Sequence, residues 1–365
     1  MTRKSDVRDE VDYQSDPHTR LKHAFYRRYI ACWMGKVLQQ KWPATIVEPF
    51  SGSGMYSDGV EGSAMVIARL YREHKCRPNF QALTAVTNDA DSRRTAKVNQ
   101  RLAALPPDDG YIHQPLEPSY FHDIVDDVIR HHAPAGRQTL WIIDPHGLKQ
   151  IPWSAVRKCA SRERNEVIIT LMVDELHRYR SNPVMDSVMN EVFGDDSWKR
   201  LQPTNSTAKS KADLVRLYCE KLQGLGCHTA SFDIDAVGRA SRYALVFATH
   251  HTAGLACWND AKWSSDPATG SHVGVLNEGQ LGLFGPEIDT LGTDLRTKPG
   301  IYSFAELAKR ASLLGYKESH LRTALDTLFR EGLVLRVAPR QAPKKRPWPQ
   351  DCIVQIFENE PDLLG

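Results

Sequence analysis

The stretch Thr45-Ile-Val-Glu-Pro-Phe-Ser-Gly-Ser-Gly54 decides the reading of this chain. It begins as a short β-prone run and stops in a turn with two glycines, which let backbone pass close to a ligand with no Cβ in the way. Upstream, Pro17 and His18 open a helical pattern with Leu21, Phe25, Tyr29, Cys32 and Trp33 at spacings of three and four. Downstream, strands at 80–87, 111–113, 139–143, 166–173, 229–234 and 242–249 alternate with helices at 61–76, 91–105, 120–132, 153–160 and 211–224. The runs 139–143 and 166–173 are almost wholly apolar, as parallel strands buried on both faces require. Such alternation predicts an α/β fold, a Rossmann-like, mostly parallel sheet with helices on both faces.

In an open parallel sheet the ligand crevice lies beyond the carboxyl ends of the strands, where the glycine turn falls. The turn continues through Asp58-Gly-Val-Glu-Gly62 before a helix begins near Ser63. The second strand ends at Asn88-Asp89, and an acid there is placed to accept from ribose hydroxyls. A pyrophosphate turn needs GxGxxG with the helix starting at once; Met55-Tyr56 breaks that spacing. S-adenosylmethionine has no phosphate and tolerates a longer, more acidic turn. Glu48, Phe50, Ser51, Gly52, Ser53, Gly54, Asp89 and Asp144 are therefore the candidate contacts to that cofactor, against the simpler reading of an ordinary glycine turn.

Ile142-Ile-Asp-Pro-His-Gly147 ends the fourth strand, which the expected sheet order sets beside the first. Pro145 forces a sharp exit from the strand, and His146 can serve as base, acid or stacking surface. Asp144 and His146 are the candidate catalytic pair; the competing reading is a plain turn in which Asp144 bonds nearby N–H groups. Lys22 has His18 one turn before it on the same helix face, and Arg178 follows the fifth strand; both are candidates for the substrate side. A surface helix and a structural ion pair are the alternatives for these two. The adjacent pairs His131-His132 and His250-His251 point apart, so no metal site is expected. No GxSxG elbow is present, which leaves hydrolase chemistry without support.

Residues 1–16 read as a solvated, flexible arm, 17–263 as the α/β domain, and 264–300 as a Gly- and Pro-rich linker. Residues 301–365 read as a winged helix-turn-helix domain: a capped helix from Tyr302, a second helix at 317–332, and a hairpin at 333–338 and 352–357. Between the hairpin strands stand Arg336, Arg340, Lys344, Lys345 and Arg346 with no acid among them, the footprint of nucleic-acid contact. Protein docking through a solvated loop is the alternative. The whole chain, 365 residues with 47 Lys and Arg against 44 Asp and Glu, carries too small a net charge to imply a polyanion partner by itself. With 41% hydrophobic and 25% charged residues it is neither disordered nor fibrous. No apolar run approaches a membrane span. Cys32, Cys76, Cys159, Cys219, Cys227, Cys257 and Cys352 form no CxxC pair and read as reduced thiols of a cytoplasmic protein.

These residues resemble the three-Cys-motif partner proteins across most of the chain. The resemblance is carried by His18-Thr-x-x-Lys22 with Tyr29, the Glu-Pro-Phe-Ser-Gly-Ser-Gly turn with Gly59 and Gly62-Ser63, Asn88-Asp89-x-Asp91 and Ile143-Asp-Pro-His-Gly147. It continues through Asp174 to Arg178, Phe193-Gly-x-x-x-Trp198, and Tyr243 to His250 with Gly254. It implies a class I methyltransferase fold and a partner with a three-cysteine motif. A more distant likeness is to rRNA adenine-N6 methyltransferases, which end the fourth strand in Asp-Pro-Pro-Tyr. Here His146-Gly147 replaces Pro-Tyr, so the ring that would stack on a flipped base is missing or replaced by imidazole. The leading expectation is S-adenosylmethionine-dependent methyl transfer to nucleic acid. The alternative is a non-catalytic or partner-dependent subunit working with the three-cysteine-motif protein, and a nuclease is a distant third.

Overall fold

The computed structural model describes residues 11–40, 42–202, 204, 206–235, 242–268, 270, 272–273, 288–339 and 347–358. The first half runs α1 (Pro17–Val37), β1 (Ala44–Glu48), α2 (Ser63–Glu73), β2 (Leu83–Thr87), α3 (Ser92–Ala103), β3 (Tyr111–Pro115), α4 (Phe121–His131) and β4 (Gln138–Ile143). Then follow α5 (Trp153–Ala160), β5 (Asn165–Met172), α6 (Val173–Arg180), α7 (Asp186–Phe193), α8 (Thr207–Gln223), β6 (His228–Asp235), β7 (Arg242–Thr249), α9 (Thr252–Ser265) and β8 (His272–Val273). A last group comprises α10 (Ile288–Arg296), β9 (Gly300–Ser303), α11 (Phe304–Leu313), α12 (Glu318–Arg330), β10 (Val334–Ala338) and β11 (Ile353–Ile356).

The first group of strands builds one sheet in the order β3-β2-β1-β4-β5-β7-β6-β8. It is mostly parallel, with β7 reversed against both β5 and β6. The order turns back between β1 and β4, the switch point at which Rossmann-like sheets open a crevice. Register brings Glu48 level with Thr87 and Val47 level with Trp141, so the segments after β1, β2 and β4 leave the sheet along one edge. Every residue of β1 and β5 is buried, as expected of strands covered on both faces. One core lies under α4 to α8; the other lies under α1, α2, α3 and α9.

The mostly parallel, Rossmann-like sheet agrees with the reading from sequence. Four details differ. The stretch 264–300 is not a plain linker: α10 sits in it, because Leu291 and Leu295, one turn apart, are fully buried in a third core with Phe304, Leu307, Leu321 and Leu325. The helix expected from Tyr302 starts at Phe304, capped by Ser303 and Glu306, and the residues before it form β9, paired with β11. Residues 11–16 are held rather than solvated. Asp12 pairs with Lys97 and Arg101, Ser57 N–H donates to the Tyr13 carbonyl at 3.0 Å, and Ser15 Oγ donates to Asp58 at 2.6 Å. The seven cysteines are not all thiols either: Cys32 of α1 and Cys257 of α9 are disulfide-bonded, their Cα atoms 5.6 Å apart. That pairing, 225 residues apart in sequence, has no local signature.

Candidate active site

A cleft of about 590 Å³ opens at the carboxyl edge of the sheet, over β1 and β4. The glycine turn forms its floor. Gly52 and Gly54 both adopt φ values of +60° and +84°, conformations costly to other residues. A Cβ on Gly54 would also stand 3.0 Å from Val98 of α3. Phe50, Ser51, Gly52, Ser53 and Gly54 line the cleft. Glu48 lies just beneath it, buried, and burial pushes its carboxyl up to about 8, with the charge of Asp144 adding to the rise and a bond from Ser63 opposing it. Glu48 thus enters as a neutral acid.

Asp89 leaves β2 as expected and reaches the turn from behind: its Oδ2 accepts from Gly52 N–H at 3.1 Å, its Oδ1 from Asp91 N–H at 2.9 Å. Asp89 is itself buried and does not line the cleft. Asp91 caps α3 through Arg93 N–H.

Asp144 and Lys22 meet across the cleft. Lys22 Nζ donates to Asp144 Oδ2 at 2.5 Å, and both side chains are largely enclosed. Burial alone would raise the Asp144 carboxyl; the charge and hydrogen bond of Lys22, helped by a bond from Thr170, outweigh it and hold the group below its ordinary value. Asp144 is an ionised carboxylate, already engaged. His23, next along α1, donates from Nδ1 to the Glu61 carbonyl at 3.0 Å, and burial together with the Lys22 charge pushes it down to about 4. It is neutral.

His146 also lines the cleft. Its Nε2 accepts from Arg94 Nη1 at 2.8 Å, and burial with the Arg94 charge lowers its affinity for a proton. A base role at Nε2 requires that bond to open. Arg178 stands exposed on α6, outside the cleft lining. Arg336 bonds the carbonyls of Pro339 (2.9 Å) and Pro347 within its own hairpin. Arg340, Lys344, Lys345 and Arg346 lie outside the described residues. Among the described residues no cluster of three or more His, Cys, Asp or Glu side chains is placed to hold a metal ion, and no helix is long and apolar enough to cross a membrane.

Sequence reasoning missed Tyr13, Tyr56, Arg94 and Thr170. Tyr13 and Tyr56 pack edge to face, 5.3 Å between centroids, on the wall of the cleft. Arg101 ties this wall to the floor, donating to the Ser53 carbonyl at 2.7 Å while holding Asp12. The available signal was the repeat Arg94, Lys97, Arg101 along α3, of which Lys97 and Arg101 meet Asp12 of the arm while Arg94 turns to His146.

No protein-family model matches the chain, and no curated protein matches its sequence. Solved structures with a likeness include a protein assigned as an rRNA-methylase from Clostridium thermocellum, 10% identical, covering 64% of this chain and 98% of that one, TM-score 0.31. Others are a DUF574-family protein from Streptomyces avermitilis (8%, 63% and 83%, 0.34) and a type I restriction-modification methyltransferase subunit from Streptococcus thermophilus (8%, 65% and 45%, 0.32). Likenesses at this level carry neither fold nor chemistry, which rest here on the strand order and the geometry of the cleft.

Proposed function

We propose that this chain is an S-adenosylmethionine-dependent methyltransferase acting on nucleic acid. One observation carries the reading: the glycine turn and Asp144, far apart in sequence, line a single cleft at the β1–β4 switch point, with Asp89 bonded to the turn from behind through Gly52 N–H. Gly52, Ser53 and Gly54 would pass under the methionine part, with Phe50 and Ser51 beside it and Glu48 below. Asp89 would hold the ribose. Bound there, the cofactor supplies a sulfonium methyl for in-line transfer, and the protein's work is orientation and exclusion of water. The enclosed volume falls within the range of small-molecule sites. The order α10, β9, α11, α12, β10, β11 supports a winged helix, and the basic stretch after β10 supports nucleic acid as its ligand. The resemblance to three-Cys-motif partner proteins points the same way for the fold.

Calorimetric titration with S-adenosylmethionine tests this. Binding in the micromolar range is expected, weakened about tenfold or more in Asp89→Ala. No heat at millimolar ligand overturns the reading.

One observation favours the second reading, a partner-dependent subunit working with a three-cysteine-motif protein. Ile301, Leu335 and Ile353 stand exposed on the outer face of the three-stranded sheet β10-β11-β9, while Arg336 is turned onto its own hairpin. An apolar sheet face suits a protein surface better than phosphate. Co-purification with that partner, joined to inactivity of the isolated chain, supports this reading; normal turnover by the isolated chain removes it.

A further inference from the structure

The reacting end of the cleft holds an ammonium, and that bears on which atom takes the methyl group. Lys22 Nζ lies 2.5 Å from Asp144 Oδ2 at the carboxyl end of β4. The pair is backed by Thr170, which bonds Asp144, and by Tyr26, whose hydroxyl is 3.0 Å from Thr170 Oγ1. An ammonium carries three N–H donors, and Asp144 takes one.

A nitrogen acceptor gains positive charge as its lone pair moves onto the methyl carbon. An ammonium alongside opposes that charge. A hydroxyl acceptor behaves oppositely: its oxygen must become electron-rich before attack, and a fixed ammonium stabilises it. The loop after β4 argues in the same direction. Chemistry on a base needs that base extruded and stacked, yet the only ring this loop offers, His146, is bonded to Arg94 and lies edge-on to Tyr13 at 6.3 Å.

We propose that the acceptor is a hydroxyl oxygen, in nucleic acid the ribose 2′-hydroxyl of RNA, and that Lys22 is the catalytic residue that stabilises its charge. This rests on the methyl-transfer reading above and names its acceptor. The hydroxyl oxygen forms the new O–C bond as the C–S bond breaks, its electron pair returning to sulfur. The hydroxyl proton passes to the Asp144 carboxylate and on to water, while Lys22 keeps its charge throughout.

The experiment has a binding arm and a product arm. In titrations of the full chain with S-adenosylhomocysteine present, single-stranded RNA is expected to bind about fivefold more tightly than DNA of the same sequence. Lys22→Met should erase that difference while leaving S-adenosylmethionine affinity unchanged. In the product arm, bulk RNA and DNA are incubated with labelled S-adenosylmethionine and digested to nucleosides. Label on the ribose of RNA, reduced about 100-fold or more in Lys22→Met, supports the proposal. Because Lys22→Met leaves Asp144 without its cation, the paired change Lys22→Met with Asp144→Asn, compared with Asp144→Asn alone, carries the test in the binding arm if the single variant loses cofactor binding: the RNA preference should survive Asp144→Asn and vanish in the pair. Label on a base, or equal binding of RNA and DNA, overturns the hydroxyl acceptor and leaves methyl transfer standing. No label in either nucleic acid overturns both.

Discussion

Helix α1 runs antiparallel along β5 and meets a carboxylate near each end of that strand. At the carboxyl edge Lys22 pairs with Asp144, beside Thr170 of β5. Two turns later, at the amino edge, Tyr29 donates to Glu166, and Thr249 Oγ1 donates to the other carboxylate oxygen at 3.3 Å. The residue class is the same and the shifts run in opposite directions. Asp144 has an ammonium and stays ionised. Glu166 is held mainly by the hydroxyls of Tyr29 and Thr249, and burial pushes it up to about 7 against their hydrogen bonds, the more distant charge of Lys36 and a bond from Trp33. The partner that α1 brings thus decides whether a buried carboxylate is held ionised or pushed toward its neutral form. The open end keeps a cation beside a cleft. The dry end is sealed by Gly254, where a Cβ would stand 2.5 Å from Glu166 Oε1, and by the Cys32–Cys257 bridge one turn beyond Tyr29.

The sharpest way to break this comparison is at the bridge. Cys32→Ala should lower unfolding free energy by about 2–4 kcal/mol, since the cross-link closes a very long loop. S-adenosylmethionine affinity should stay within about twofold. A large loss of affinity would mean that the two ends of α1 are not independent.

The pH dependence of stability comes next. Glu166 rises from an ordinary 4.5 to about 7 on folding, so the stabilisation by its neutral form is fully present below 4.5 and is lost as pH rises through 7. That window contains about 3 kcal/mol. Glu166→Gln should flatten the fall in denaturant-measured stability between pH 4.5 and 7, leaving the parallel contribution of Glu48. Asp144 is lowered on folding, so its contribution is present above its ordinary 3.8 and lost as pH falls through its folded value. Asp144→Asn should therefore flatten the acid limb and leave the Glu166 fall in place, trimming only the part of the Glu48 contribution that the Asp144 charge supplies. The same slope in both variants would erase the distinction between the ends.

Gly254→Ala offers the smallest effect. The added methyl meets Glu166 Oε1 and Thr249 Oγ1, at 2.5 Å and 2.9 Å, so either these buried side chains or α9 must shift. A cost of about 1–3 kcal/mol is expected in chemical denaturation, with cofactor affinity unchanged.

Much of this was legible in the chain. The order of strands and helices followed from periodicity, and the floor of the cleft from Gly52 and Gly54 after an apolar strand. Asp89 and Asp144 were legible as acids at strand ends. The arm was misread because its charges of both signs look solvated until Lys97 and Arg101 stand opposite Asp12. The 264–300 stretch was misread because Gly and Pro density hid the single pair Leu291 and Leu295, too short a signal to mark a helix without the core that receives it.

By itself the sequence determined the α/β alternation, the glycine turn and the placing of acids just beyond strands. Each of these depends on residues close together in the chain, where backbone preference and hydrophobic spacing act directly. Which acid keeps its charge was decided only by tertiary structure. Lys22 and Asp144 are 122 residues apart, Tyr29 and Glu166 are 137 apart, and Cys32 and Cys257 are 225 apart. The sheet order sets β1, β4 and β5 side by side and lays α1 along β5; that closure chooses an ammonium for one carboxylate and a hydroxyl for the other. Local pattern carries no record of the choice, because a lysine and a tyrosine on the same helix face satisfy the same helical spacing, and only the group across the sheet reveals what each is for.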